Sequence, residues 1–202
     1  LGAIADGETT VTDLLRSEDC LATLNAIRGM GVTVADNGSE LRIVGAGPEG
    51  LASPGAPLDL GNSGTAMRLM LGLLATQPFP VTLTGDASLC QRPMERVAEP
   101  LRKMGSTIET DQGTAPITIR GRRPLQAIDY ELPIASGQLK SAILLAGLWA
   151  DGRTTVRSPG VCRDHTERML ETFGVEIDRA SDTHISIDGP ATLSATEVQV
   201  PK

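Results

Sequence analysis

The amino-acid sequence predicts a mixed α/β domain made of three repeated βαβαββ-type units, of which the first is incomplete. Three observations predict this fold class. A segment in which a helix turns into a strand occurs three times, a second helix closed by glycine follows each copy, and a pair of short strands follows each of those helices. The repeat period is about 70 residues. The units then lie at about 1–47, 48–121 and 122–202 of a single domain spanning 1–202.

Each helix-to-strand segment starts with glycine and three apolar residues, continues through a breaker, and ends in a β-prone valine. The three copies are Gly2–Val11, Gly72–Val81 and Gly147–Val156. In the second and third copies a further strand leads into an apolar helix, which we predict at Ala66–Ala75 and Gln138–Ala150. The first copy lacks this part, so we expect Leu1 to lie partway through the equivalent helix. The preceding strand is then expected to be missing, and the chain, which has no initiating Met, to be a fragment.

A second helix closes each unit at a residue followed by glycine, where helices commonly stop. The closing pairs are Met30-Gly31, Met104-Gly105 and Phe173-Gly174. Predicted strand pairs follow at 32–35 with 41–44, 107–110 with 117–120, and 175–178 with 185–188. The helices at 66–75 and 139–150 are apolar almost all round, which places them in the core with the sheets outside.

Composition excludes several classes of function. Of 202 residues, 40% are hydrophobic and 21% are charged, which is typical of a globular chain. The net charge of -7, with one Trp, one Tyr and two Phe, argues against a nucleic-acid surface. Three cysteines without a C-x-x-C pair argue against disulfides and zinc and indicate a reducing, cytoplasmic location. No apolar run approaches the roughly 20 residues of a membrane span.

Two helix starts carry small polar residues that could bind an anion, because the first N–H groups of a helix are free and its dipole is positive there. They are Asn62-Ser63-Gly64-Thr65 and Ser136-Gly137-Gln138, with Lys140 one turn further along. Ordinary helix capping explains either one alone. Their recurrence at the same point of two units favours a ligand.

Polar loops follow a strand and precede a helix in each unit. The second contains Arg92, which can hold a phosphate or carboxylate by a two-pronged contact, or can form a surface ion pair with Glu95. The third is 161–168, with Cys162 and Arg163, and the first copy offers 15–19.

The remaining motifs give weaker indications of a functional site. Gly45–Gly50 matches G-x-G-x-x-G, but the prolines that follow preclude the required helix, so it is predicted to be a linker. Cys90 is either an inert thiol or a nucleophile activated by Arg92. His165 and His184 cannot form a metal site by themselves, and no metal is predicted.

Four motifs resemble the 5-enolpyruvylshikimate-3-phosphate synthase family: L-D-L-G-N-S-G-T-A-M-R-L at 58–69, G-D-A-S-L-C-Q-R-P-M at 85–94, L-P-I-A-S-G-Q-L-K-S-A at 132–142 and R-D-H-T-E-R-M at 163–169. The resemblance implies an inside-out α/β enolpyruvyl transferase domain, one of two in the enzyme, with the active site between them. The family transfers the enolpyruvyl group of phosphoenolpyruvate to the 5-hydroxyl of shikimate 3-phosphate, releasing phosphate, without a metal or organic cofactor.

The resemblance also implies roles for individual residues. Ser136, Gly137, Gln138, Cys162 and Arg163 would bind shikimate 3-phosphate. Asn62, Gly64 and Arg92 would line the phosphoenolpyruvate side, where the inhibitor glyphosate also binds. Cys162 stands where the family commonly has Ser and is a poorer donor.

The family's acid and base groups belong to the other domain, and its N-terminal Lys-Ser segment precedes Leu1-Gly2. We therefore expect no catalytic residue here, no nucleic-acid or membrane partner, and an inert chain that needs the second domain. Two alternatives stay open. One is the related UDP-N-acetylglucosamine enolpyruvyl transferase, suggested by Cys90 before Arg92-Pro93; the other is a non-catalytic structural module.

Overall fold

Five helices form the centre and the connections of the computed structural model, which describes residues 1–201. They begin and end close to the predicted positions. They are α1 Glu18–Gly29, α2 Gly64–Leu74, α3 Glu95–Lys103, α4 Gly137–Gly147 and α5 His165–Thr172.

Three sheets surround these helices. The first contains β1 Glu8–Thr12, β2 Thr33–Asp36, β3 Glu40–Val44 and β13 Glu197–Gln199. The second contains β4 Leu58–Asp59, β5 Pro80–Thr84, β6 Thr107–Asp111 and β7 Thr114–Arg120. The third contains β8 Leu125–Gln126, β9 Asp129–Glu131, β10 Ala150–Arg157, β11 Ile177–Ser181 and β12 His184–Gly189.

The sheets share one topology. In each, a short strand pairs in parallel with a longer strand, which pairs antiparallel with one arm of a hairpin. The strand orders are β13-β1-β3-β2, β4-β5-β7-β6 and, in the third sheet, β9 beside β10, then β12 and β11. This recurrence confirms the predicted α/β fold class with three repeated units.

The same helix stop closes α1, α3 and α5. Gly31, Gly105 and Gly174 have φ of 84°, 105° and 86°, in the left-handed region that favours glycine. Each glycine N–H and the N–H of the next residue bond back to the last helical turn, the pattern of a Schellman motif. Because Val32 and Val175 make these cap bonds, the strands after them begin at Thr33 and Ile177, slightly later than predicted.

Helices α2 and α4 pack against each other in the core, as predicted. Most of their residues are buried. Gly72 makes the approach possible, because a Cβ there would lie 2.2 Å from the carbonyl oxygen of Ala142. The N-terminal Thr65 of α2 contacts the N-terminal Gln138 of α4, so the two helices run in the same direction.

Two predictions about elements are wrong in part. Helix α4 ends at Gly147 rather than Ala150, because the Trp149 carbonyl accepts from the N–H of Leu125 and Ala150 begins β10. The first unit has no strand before β1, as expected, but the position of that strand in the sheet is filled from the other end of the chain. The C-terminal strand β13 pairs in parallel with β1 and occupies the position held by β4 and β9 in the other sheets.

The linker interpretation of Gly45–Gly50 is confirmed, since residues 45–57 contain turns and no helix. Within residues 1–201, no helix is both long and apolar enough to cross a membrane.

Candidate anion-binding site

The starts of α2 and α4 lie side by side, each capped by a serine. The Ser63 hydroxyl accepts from the N–H of Ala66 at 3.3 Å, and the Ser136 hydroxyl accepts from the N–H of Leu139 at 3.3 Å. Capping satisfies one N–H in each first turn and leaves others available to a ligand. Both helix dipoles therefore present their positive ends to the same place.

A cleft of about 480 Å³ opens beside the start of α4. All five residues predicted to bind the phosphorylated substrate line it: Ser136, Gly137, Gln138, Cys162 and Arg163. The first three come from the start of α4 and the other two from the loop before α5. The start of α4 and the loop before α5 therefore face one cleft, and the binding role of these five residues stays a prediction.

Arg163 supplies a guanidinium to this cleft. Its side chain is exposed, and among residues 1–201 it has no hydrogen-bond or ion-pair partner. The nearby thiol of Cys162 lies 3.3 Å from the hydroxyl of Ser158 and 3.6 Å from the carbonyl of Gly160. Because Arg163 has no partner of its own, its guanidinium is free to make a two-pronged contact with an anion.

The second predicted group, Asn62, Gly64 and Arg92, lies at the start of α2. Arg92 donates to the amide oxygen of Asn62, whose own amide donates to Asp86 at 2.7 Å. The hydrogen bond from Asn62 is the largest cause of a lowered pKa of the Asp86 carboxyl, and the hydrogen bond from the N–H of Leu89 is the next largest. The possible ion pair of Arg92 with Glu95 does not form, because Glu95 pairs with Arg102.

Glycine at position 64 leaves room for the arginine. A Cβ there would lie 2.9 Å from the Nη1 atom of Arg92 and 3.2 Å from that of Arg68. The guanidinium of Arg92 can therefore lie directly against the helix start, where backbone N–H groups are free.

Arg68 joins the two groups and is not among the residues predicted from the sequence. Its guanidinium donates to the Gln138 side-chain oxygen at 2.7 Å and to the carbonyls of Gly64 and Pro93 at 3.4 Å. It is only 9% exposed, and burial, aided by neighbouring arginines, lowers the pKa of its guanidinium. A lone charge in an otherwise apolar helix was the signal that could have found it.

Lys140, noted as a possible aid to ligand binding, points away from the cleft. It forms a buried ion pair with Glu167 of α5. In the first unit, Arg16 pairs with Asp36 at 2.8 Å, while Ser17 caps α1. The first polar loop therefore adds no free cation to the site.

The remaining candidates show little chemistry. The Cys90 thiol lies 3.4 Å from the carbonyl of Gly85, and His184 lies in β12. In the described part of the chain, no three His, Cys, Asp or Glu side chains cluster in a way that could hold a metal ion. The site thus offers helix N-termini, arginines and amides, which are groups that bind anions.

Fold and cleft together define a class of protein: an α/β domain of repeated units with a candidate anion-binding cleft at the starts of its central helices. The whole chain, residues 1–202, matches the family model for EPSP synthase (3-phosphoshikimate 1-carboxyvinyltransferase). The chain belongs to this family.

Individual relatives of the chain have the same name as the family model. The chain is 54% identical to the 3-phosphoshikimate 1-carboxyvinyltransferases of Alkalilimnicola ehrlichii and Methylococcus capsulatus, covering 100% of this chain and 45% and 46% of theirs. A solved EPSP synthase from Acinetobacter baumannii superposes with a TM-score of 0.95 at 51% identity, covering 99% of this chain and 45% of that one. The chain thus spans about half the length of the curated relatives it matches. These relatives do not favour the UDP-N-acetylglucosamine alternative.

Proposed function

We propose that this chain is the shikimate 3-phosphate-binding domain of a cytoplasmic EPSP synthase. The complete enzyme would transfer the enolpyruvyl group of phosphoenolpyruvate to the 5-hydroxyl of shikimate 3-phosphate and release phosphate. The observation that carries the proposal is the cleft in which Ser136, Gly137 and Gln138 face Cys162 and an unpaired Arg163. The three free thiols of the described residues are consistent with a reducing compartment.

Each residue of the cleft has a role that its contacts permit. Arg163 pairs with the phosphoryl oxygens of shikimate 3-phosphate, and free N–H groups at the start of α4 complete the anion site. The Ser136 hydroxyl, which accepts from Leu139, keeps its own proton to donate to the ligand. Gln138, fixed by Arg68 and Thr65, orients the ring side of the substrate.

Phosphoenolpyruvate takes the neighbouring position at the start of α2. Arg92, held by Asn62 and accommodated by Gly64, supplies the cation for its carboxylate or phosphate. Arg68 links the two subsites through Gln138, which keeps the two substrates next to each other.

The chemistry itself requires groups beyond these. General acid and base catalysts must reach the reacting atoms, and the two subsites offer cations and amides rather than a carboxylate or lysine placed for proton transfer. The chain alone is therefore inert, and the rest of the enzyme is its partner. Phosphate release by the purified chain supplied with both substrates would refute this part of the proposal.

Backbone amide NMR during titration with shikimate 3-phosphate tests the binding role. Shifts are expected at 136–140 and around Arg163, and neither shikimate nor UDP-N-acetylglucosamine should produce them. Arg163→Ala should weaken binding about 10-fold or more, since a charge-assisted hydrogen bond contributes about 1.5–3 kcal/mol. Arg120→Ala, at an exposed position of β7, is the matched control and should bind normally. A well-folded chain in which nothing moves would instead favour the non-catalytic structural module.

A further inference from the structure

A buried ion pair lies directly behind the cleft. Lys140 of α4 and Glu167 of α5 have side chains that are only 3% and 1% exposed. Such residues are almost never fully buried unless they are paired. Neither carboxylate oxygen of Glu167 has a hydrogen-bond partner in residues 1–201, so the ammonium of Lys140 provides its ion-pair contact.

The pair is close in sequence to both halves of the cleft. The N–H of Lys140 bonds to the carbonyl of Ser136 at 3.0 Å, so the two residues lie one helical turn apart. Glu167 belongs to the first turn of α5, four residues after Arg163. A second polar contact runs beside the ion pair, since the Thr166 hydroxyl donates to Ser141 at 2.7 Å. Two adjacent residues of α4 are thereby tied to two adjacent residues of α5.

The two sides of the cleft, the start of α4 and the Cys162–Arg163 loop, approach each other near these two contacts. A Cβ on Gly137 would lie 3.7 Å from the Cβ and the carbonyl oxygen of Arg163, which is ordinary van der Waals distance. A small movement of α5 relative to α4 would therefore open or close the space between the helix start and the arginine. Binding sites tolerate only a fraction of an ångström of such movement.

We propose that the Lys140–Glu167 ion pair is a positioning device that sets the separation between the start of α4 and the Cys162–Arg163 loop. The inference rests on the proposed function, since it assigns the pair to the phosphate half of that site. Lys140 does not touch the ligand, because its side chain is buried and does not line the cleft. An apolar pair of similar volume would fill the same space but would lack the charge attraction that fixes the register of the two helices.

The informative variant is the double substitution Lys140→Met and Glu167→Met, which removes both charges and preserves volume, so that no buried charge is left unpaired. The matched control is Lys103→Met with Glu99→Met, which removes an exposed ion pair of 2.7 Å on α3, away from the cleft. Thermal unfolding of both variants establishes that they fold.

Two measurements follow on the folded chains. In the ligand-free state, exchange of the hydrogen-bonded amides of α5 at 168–173 should accelerate 10-fold or more in the Met pair, whereas exchange in the second sheet should not change. Calorimetric titration should show affinity for shikimate 3-phosphate reduced 10-fold or more. The control should match wild type in both.

The outcomes separate the two proposals. A folded Met pair with wild-type exchange at 168–173 and affinity within twofold of wild type overturns the positioning role and leaves the binding function standing. If wild type does not bind shikimate 3-phosphate, the proposed function fails, and the exchange measurement still decides the positioning role. Accelerated exchange confined to α5, at 168–173, then supports it, and unchanged exchange overturns it.

Discussion

The substitution Gly72→Ala tests whether the contact between α2 and α4 determines the geometry of the site. The added methyl would lie 2.2 Å from the Ala142 carbonyl oxygen and 2.7 Å from its α-carbon. Both atoms belong to the α4 backbone and cannot rotate away as a side chain can. Restoring normal contact requires the helices to separate by roughly 1 Å, given optimal carbon contacts of about 3.5–4.0 Å.

Two free-energy terms oppose each other in this variant. Overpacking a core costs about 1–3 kcal/mol, and the backbone clash places Gly72→Ala at the upper end of that range. Replacing glycine by alanine inside a helix returns about 1 kcal/mol. The net loss in the free energy of unfolding is therefore about 2 kcal/mol, or a melting temperature lower by about 4–8 °C in a chain of this size.

Urea denaturation and thermal melting measure the loss, and titration with shikimate 3-phosphate measures the effect on the site. Affinity should fall as well, because separating the helices stretches the contacts of Gln138 with Arg68 and Thr65. Gly29→Ala is the control, since its methyl would meet only the flexible end of Leu58 at 3.1 Å. If Gly72→Ala is as stable as wild type and binds equally well, close packing of α2 on α4 does not determine the site.

Three further predictions concern the same region. Gly64→Ala should weaken phosphoenolpyruvate binding in calorimetry, because the methyl would lie 2.9 Å from the guanidinium of Arg92 and 3.2 Å from that of the buried Arg68; unchanged affinity would contradict it. Asn62→Ala should raise the pKa of the Asp86 carboxyl toward its usual value in a carbon-detected NMR titration, because it removes the largest cause of the lowering. A lowered folded-state pKa gives stability that is present at neutral pH and lost as the pH falls through that pKa, so the variant should lose less stability in acid. Lys140→Met alone should cost about 3–5 kcal/mol in urea denaturation, since it leaves a buried carboxylate unpaired, and a loss below about 1 kcal/mol would refute this.

Features that depend on neighbours in sequence were predictable. The glycines at 31, 105 and 174 mark helix ends because a left-handed residue there is a local requirement. Ser63 and Ser136 were identified at helix starts because capping also acts over only a few residues. The register between repeats then aligned the two helix starts correctly.

Features that depend on distant contacts were not predictable. Strand β13 completes the first sheet because the backbone near Asp6 bonds to Leu193 and Ala195, almost the length of the chain away. Lys140 looked like a ligand residue because nothing in its own helix indicates Glu167. The end of α4 was misplaced because Leu125, outside the helix, binds the carbonyl of Trp149.

The electrostatics of the site give the repeat architecture a functional consequence. Because α2 and α4 run in the same direction, their positive ends add instead of cancelling, and Arg68, Arg92 and Arg163 add further positive charge. Burial lowers the pKa of Arg68, and the neighbouring positive charges of Arg96 and Arg92 lower it further, so these arginines repel one another although the net charge of the chain is -7. An anion that binds only the folded state relieves this repulsion and raises the free energy of unfolding as its concentration exceeds its Kd. The repeats thus bring the positive ends of two helices and several arginines to one place, where they produce a positive electrostatic potential that one unit alone would not have. That place is where the phosphorylated substrate is proposed to bind.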